Sequence, residues 1–170
     1  MLCKTRKLTT EEQLTLLKNA VLSSDSNQDF STVQELIATY EVPVDSCLTT
    51  RGETALMLAA KQCKLNIMNY LIRKGANPNK PDYQGNTCVI YCIRSMKTNV
   101  LTGLRLLFDN KASFVYKNTE GKKPIDYLEL YHNREEDYEE LQEAFHEFTS
   151  SDYEKLALIF MFKRQRIHLL

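Results

Sequence analysis

The sequence predicts an all-α solenoid of stacked helix–turn–helix units. Three observations carry that expectation: a period near 33 residues, paired apolar stripes at helical spacing within each period, and turn chemistry rich in Gly, Pro, Asn and Asp between the pairs. The segment "GETALMLAA" at Gly52 meets "GNTCVIYCI" at Gly85 after a shift of 33, then "GKKPIDYLE" at Gly121 after a further 36. "YLIRKGANPN" from Tyr70 aligns with "LLFDNKASFV" from Leu106, again 36 apart. Upstream, "VQELIATYEVPVD" from Val33 aligns with "IMNYLIRKGANPN" from Ile67 at a shift of 34. The copies fall at about 11–45, 46–78, 79–115 and 116–148, after an N-terminal segment 1–10 and ahead of a C-terminal helix in 149–170.

Each element follows from local chemistry. In the first copy "TEEQ" (10–13) and "STVQ" (31–34) fit capping boxes, so two helices are expected, separated by the polar stretch "SSDSNQDFS" read as a loop. In the second copy Leu56, Ala59 and Ala60 form one stripe, and Ile67, Tyr70 and Leu71 a second. The alanines allow close helix approach, and Gly75 suits the left-handed residue that ends a helix. "ANPNKPDYQG" then reads as an extended, turn-rich finger. The third copy carries extra residues around "SMKTNV", expected to lengthen the turn between its helices at small entropic cost. In the fourth, "REEDYEELQEAFHEF" opens a helix whose acidic first turn complements the helix dipole while Leu141, Ala144 and Phe145 face inward. The same acidic run could also attract a basic partner. Finally "SDYE" (151–154) caps a helix containing "YEKLALIFMF" and "KRQR", read as a lid over the exposed end of the array. A partner-binding or membrane-surface helix is the alternative.

Composition bounds the function. The 170 residues are 43% hydrophobic and 26% charged, enough apolar material for a core. Lys+Arg and Asp+Glu number 22 each, which argues against the positive field that general nucleic-acid binding needs. The N-terminus lacks a signal-peptide core, and the longest apolar run, "LALIFMF", is far short of the roughly 20 residues of a membrane span. An intracellular protein, cytoplasmic or nuclear with reduced cysteines, is therefore expected. Of the five cysteines, Cys88 and Cys92 lie four apart on one helix face. They read as small core residues, with half a metal or redox site as the alternative. The histidines, His132, His146 and His168, fall in no metalloprotease, hydrolase or phosphate-loop pattern. No catalytic, cofactor or metal site is assigned, although a thiol- or metal-dependent enzyme would escape notice if its groups met only in space.

The 33-residue period, "GxTALxLAA" and "LIxxGANPN" resemble the ankyrin repeat, with its "GxTPLHLAA" and "LLxxGADVN". The likeness is best over 52–79, decayed over 85–115 and 121–148, and weak over 11–45. Ala55 and Cys88 stand where the family has proline, which returns at Pro124. Met57, Ile90 and Asp126 replace the family's histidine, and Cys63 the glycine that ends the inner helix. The resemblance implies a protein-binding module without catalysis or cofactor, an adaptor, scaffold or inhibitor working as a monomer through a concave face. Pathogen effectors that block host proteins are a further version.

The resemblance also implies which residues contact the partner: two before the finger glycine, one after it, and two after the inner-helix alanines. In the second copy these are Thr50, Arg51, Glu53, Lys61 and Gln62. In the third they are Tyr83, Gln84, Asn86, Arg94 and Ser95. In the fourth they are Thr119, Glu120, Lys122, Leu130 and Tyr131. Tyr83, Arg51, Arg94 and Tyr131 are of the types enriched at binding hot spots.

Overall fold

Helix formation follows the apolar stripes closely. The structure, a computed structural model, describes residues 8–23, 26–131 and 133–149. The helices are α1 (Thr10–Leu22), α2 (Ser26–Ala38), α3 (Ala55–Gln62), α4 (Leu65–Arg73), α5 (Cys88–Ile93), α6 (Val100–Asp109), a 3-10 helix (Pro124–Tyr131) and α7 (Glu135–Phe148). They pack as antiparallel pairs in two layers. The inner layer runs α1, α3, α5 and the 3-10 helix; the outer layer runs α2, α4, α6 and α7. Among the described residues the extended structure is one isolated bridge between Cys47 and Thr54, at the base of a finger. The expected C-terminal helix, its "SDYE" cap, Cys3, His132 and His168 lie outside the described residues.

The first pair departs from expectation twice. The cap of α1 is Thr9, not Thr10: its hydroxyl accepts from the Glu12 N–H at 3.3 Å, and the Glu12 carboxylate accepts from the Thr9 N–H at 2.8 Å. The stretch read as a loop is largely helical, because α2 begins at Ser26 and places Ser31 in its interior. Packing explains the extension. Phe30 lies one turn ahead of the Val33 and Leu36 stripe, and its ring meets Tyr70 edge-on, with centroids 5.7 Å apart. Asp29, nearly buried in the same turn, pairs with Lys64 at 3.4 Å.

In the second pair Met57 occupies the family's histidine position and helps start α3. Its N–H donates to the Thr54 hydroxyl and its sulfur accepts from the Thr54 N–H, both at 3.4 Å. The turn between α3 and α4 forms with Cys63 in the left-handed conformation, φ 52°, ψ 39°. Met96 (φ 50°) does the same after α5, and Glu41 and Lys111 (φ 53° and 63°) stand where the second copy has Gly75. The decayed copies thus keep the backbone path of the best one while bearing about 1–2 kcal/mol of strain at each side chain placed there. The longer turn of the third copy is present: Arg94 through Asn99 join α5 to α6, whereas only Cys63 and Lys64 join α3 to α4.

The fourth pair has a 3-10 helix where an α-helix would be usual. Its apolar residues supply the reason. Ile125, Leu128 and Tyr131 recur every third residue, the period at which 3-10 side chains eclipse, so the tighter winding aligns all three toward the core. Leu128 and Tyr131 are buried, and the Tyr131 hydroxyl donates to the Ile93 carbonyl at 2.8 Å across the inter-repeat seam.

Burial pushes the Tyr131 hydroxyl from its ordinary value of 10.0 up to about 12. The unfolded chain therefore ionises first as pH rises. The stability this proton supports is complete below pH 10 and is lost as pH climbs toward 12. Urea titrations at stepped pH should show a flat plateau near neutrality and a decline beginning near pH 10. Tyr131→Phe should be less stable at neutral pH by about 1 kcal/mol and show a shallower alkaline decline; an unchanged slope would show that other groups set it.

Candidate protein-binding surface

The fingers are built by one repeated hydrogen-bond pattern. Each tip is a turn closed by a glycine N–H: Gly52 to the Thr49 carbonyl at 3.0 Å, Gly85 to Asp82 at 3.0 Å, Gly121 to Asn118 at 2.9 Å. The side chain opening each turn accepts from the two N–H groups that the turn leaves over. Asp82 Oδ1 takes those of Gln84 (2.9 Å) and Asn86 (2.7 Å). Asn118 Oδ1 takes those of Glu120 (3.0 Å) and Lys122 (2.9 Å). The Thr49 hydroxyl takes those of Arg51 and Glu53, both at 3.3 Å. This is the side-chain-to-backbone mimicry that favours Asp, Asn and Thr at turn entries.

Adjacent tips are tied by backbone. The Tyr83 N–H donates to the Arg51 carbonyl at 3.0 Å, and the Thr119 N–H donates to the Gln84 carbonyl at 2.9 Å. The Thr119 hydroxyl donates to the same carbonyl at 2.9 Å. A side chain at Gly85 would place its Cβ 2.9 Å from the Thr119 nitrogen, and φ there is +77°. Only glycine combines that backbone with that approach. The Tyr83 ring lies over Gly52 in the same way, edge atoms filling the space a Cβ would take.

Below the tips runs a buried polar chain. The Thr49 hydroxyl donates to Glu53 Oε2 at 2.7 Å. The Tyr91 hydroxyl lies 3.0 Å from Glu53 Oε1 and 2.8 Å from Asp82 Oδ2. Asn86 Nδ2 donates to Asp82 Oδ2 at 3.2 Å, and Asn118 Nδ2 donates to Asn86 Oδ1 at 3.0 Å. Asn118 Nδ2 also reaches the Tyr127 hydroxyl at 2.9 Å. Burial, reinforced by the two carboxylates, raises the Tyr91 hydroxyl far above the ordinary tyrosine value.

This arrangement divides the sequence-derived contact residues. Thr50, Arg51, Lys61, Gln84, Arg94, Thr119, Glu120 and Lys122 are exposed, and Tyr83 is 72% exposed. Leu130 is exposed, while Gln62 and Ser95 are half-buried. Glu53, Asn86 and Tyr131 are corrected: all three are interior. The residue after the finger glycine starts the return arm, which pairs backward through Leu48 N–H to the Glu53 carbonyl and Asp82 N–H to the Asn86 carbonyl. In the second and third copies its side chain enters the polar chain, whereas Lys122 in the fourth makes the same backbone pairing, from the Asn118 N–H, and is exposed. Tyr131 is drawn inward by the 3-10 period. Lys64, just ahead of α4, is a seam residue whose ammonium meets the Ser23 carbonyl and Asp29.

Sequence reasoning missed Tyr127. Its ring receives the Arg94 guanidinium at 5.9 Å and the Lys122 ammonium at 5.8 Å, so it positions two exposed cations on one face. Lys122 also pairs with Glu120 at 3.4 Å. It missed the turn-opening set Thr49, Asp82 and Asn118 as well, although their shared offset of three before each finger glycine was a usable signal.

The thiols were only partly anticipated. Cys88 and Cys92 are buried, as small core residues should be. Burial raises the Cys88 thiol to about 12. The sulfur that shares with Cys92 the gap beside Gly103, however, is that of Cys63, one repeat earlier. Among the described residues no group of three or more His, Cys, Asp or Glu side chains gathers as a metal site would require.

Paired helices in two layers joined by glycine-turn fingers have their counterpart among known families: a family model for ankyrin repeats (3 copies) matches residues 17–119. The chain belongs to the ankyrin-repeat family. Ankyrin repeats are in general protein–protein interaction modules, and typically non-catalytic ones. The match ends at Thr119, so the 3-10 helix and α7 that stack on the ankyrin units lie beyond it. No curated protein matches the chain. Among the described residues no helix is long and apolar enough to cross a membrane.

Proposed function

We propose that this ankyrin array binds an acidic stretch of a partner protein along its row of finger tips, acting as an adaptor, scaffold or inhibitor without chemistry of its own. The observation that carries the reading is the tied row itself: Arg51, Tyr83, Gln84 and Thr119 are linked tip to tip by backbone hydrogen bonds while their side chains face solvent. Such a row binds without first being ordered, which lowers the entropic cost of association. The charges on this side favour an acidic partner. Arg51, Lys61, Arg94 and Lys122 are exposed, and the acid among the exposed candidates, Glu120, already pairs with Lys122. Arginine's planar, multi-donor head suits carboxylates.

Tyr83 anchors the row, a large ring with few bonds to freeze on binding. Tyr83→Ala is expected to weaken binding of a captured partner by about 1–4 kcal/mol, with the circular dichroism spectrum retained. Arg73→Glu, an exposed charge on α4, is the control and should change affinity little. Full affinity in Tyr83→Ala combined with Arg94→Ala, together with a marked loss in Arg73→Glu, would move the site to the outer layer and end the reading.

A further inference from the structure

Cys63 ends α3 in the second ankyrin unit, and Cys92 lies in the last turn of α5 in the third. Both are buried, and each thiol shifts the titration of the other across the seam between the units. Each also reaches the start of α6. Cys63 Sγ lies 3.4 Å from the Asn99 carbonyl and Cys92 Sγ 3.7 Å from that of Val100. Opposite them α6 carries Gly103, and the two sulfurs occupy the room its missing side chain leaves. A Cβ there would stand 2.8 Å from Cys92 Sγ and 3.3 Å from Cys63 Sγ. Two sulfurs on different units thus share one gap, with no atom of Gly103 between them.

We infer that Cys63 and Cys92 form an oxidisable pair that closes into a disulfide and clasps the second ankyrin unit to the third. The observations favour Cys63 as the first to react. It is the left-handed residue that caps the end of α3, and the neighbouring Cys92 thiol, with Ser95 and Lys97 adding to it, holds its own thiol below the ordinary value. Cys92 is held well above that value, first by the neighbouring Cys63 thiol and then by burial, so it keeps its proton until the second step. The oxidant is a hydroperoxide. The Cys63 thiolate attacks the peroxide oxygen, the O–O bond breaks, and the leaving alkoxide or hydroxide takes a proton; Cys63 becomes a sulfenic acid. The Cys92 sulfur then attacks the Cys63 sulfur, the S–O bond breaks, and the Cys92 proton leaves with the hydroxide as water. In sum two thiols lose two electrons and two protons, and the peroxide becomes an alcohol, or water, plus water.

The bridge would close a chain loop spanning the whole finger of the third unit, and a cross-link restrains the unfolded state more the longer the loop it closes. The test uses the full chain with hydrogen peroxide, followed by alkylation, digestion and mass spectrometry. The expected product has lost two hydrogens and joins the peptide carrying Cys63 to that carrying Cys92. Its melting temperature should rise by about 5–15 °C and fall back on reduction. The bridge should persist in Cys88→Ser and vanish in Cys92→Ala. It should also vanish in Cys63→Gly, which ought to fold well because glycine suits φ 52°. Because the sulfurs are buried, the same chain is also refolded from the reduced, unfolded state in a glutathione buffer. Cys63 and Cys92 both free in the folded product of both procedures overturns the inference. So does a bridge that survives in Cys92→Ala by using Cys88.

Discussion

Phe145→Ala should remove about 3–5 kcal/mol of stability, the range for truncating a buried phenylalanine. Phe145 is fully buried on the inner side of α7 and meets Phe114 edge-on at 5.4 Å and Phe148 at 6.2 Å. Phe148 in turn stacks at 4.7 Å on both Phe114 and Phe108. The truncation therefore opens a cavity in a cluster that joins α6, the loop after it and α7, and such ring pairs are worth about 0.5–1.5 kcal/mol each beyond area. Chemical denaturation followed by far-UV circular dichroism reads the loss. Because α7 is the last outer helix described, the variant should also lose helical signal early, ahead of the main transition. A single transition with less than about 0.5 kcal/mol lost, a surface-substitution value, would show that α7 does not pack there.

Leu71→Ala is expected to cost about 2–5 kcal/mol. Leu71 is fully buried in α4 beside Ile67 and Met68, on the stripe that defines the best copy. Leu107, its counterpart in α6, is equally buried, and Leu107→Ala should behave alike. The measurement is urea denaturation of both variants against the parent. A gap of several kcal/mol between the two would mean that their sites collapse differently around the missing atoms, since the cost follows the residual cavity.

The stripes that make these predictions were legible in the sequence, because a buried helix face must repeat every three to four residues whatever else the chain does. Glycine fingers were legible for a similar reason: a positive φ selects glycine wherever the next backbone comes close, as at Gly85. Three things were hidden. The start of α2 depended on Phe30 finding Tyr70, a tertiary contact that overrode a polar, loop-like composition. Glu53 and Asn86 look like surface residues by type, yet each is buried, satisfied by partners in its own and a neighbouring finger that no local pattern displays. Cys63 and Cys92 belong to different units, and only stacking brings them together. The repeat therefore located the finger row, while the inward or outward direction of each side chain waited on neighbours one period away.

The polar chain beneath the fingers sets how the array can break. Repeat proteins in which each unit is held mainly by itself peel from their ends, one unit at a time. Here the Tyr91 hydroxyl of the third unit serves Glu53 of the second, and Asn118 of the fourth serves Asn86 of the third. Losing the third unit takes Tyr91 from the buried Glu53 carboxylate, and losing the fourth takes Asn118 from the buried Asn86 amide, at about 1–3 kcal/mol for a neutral group and more for a charged one. Detaching one finger is thereby made more costly than in an array of independent units, and neighbouring fingers are coupled in fracture, like a keyed joint rather than a stack of separate tiles.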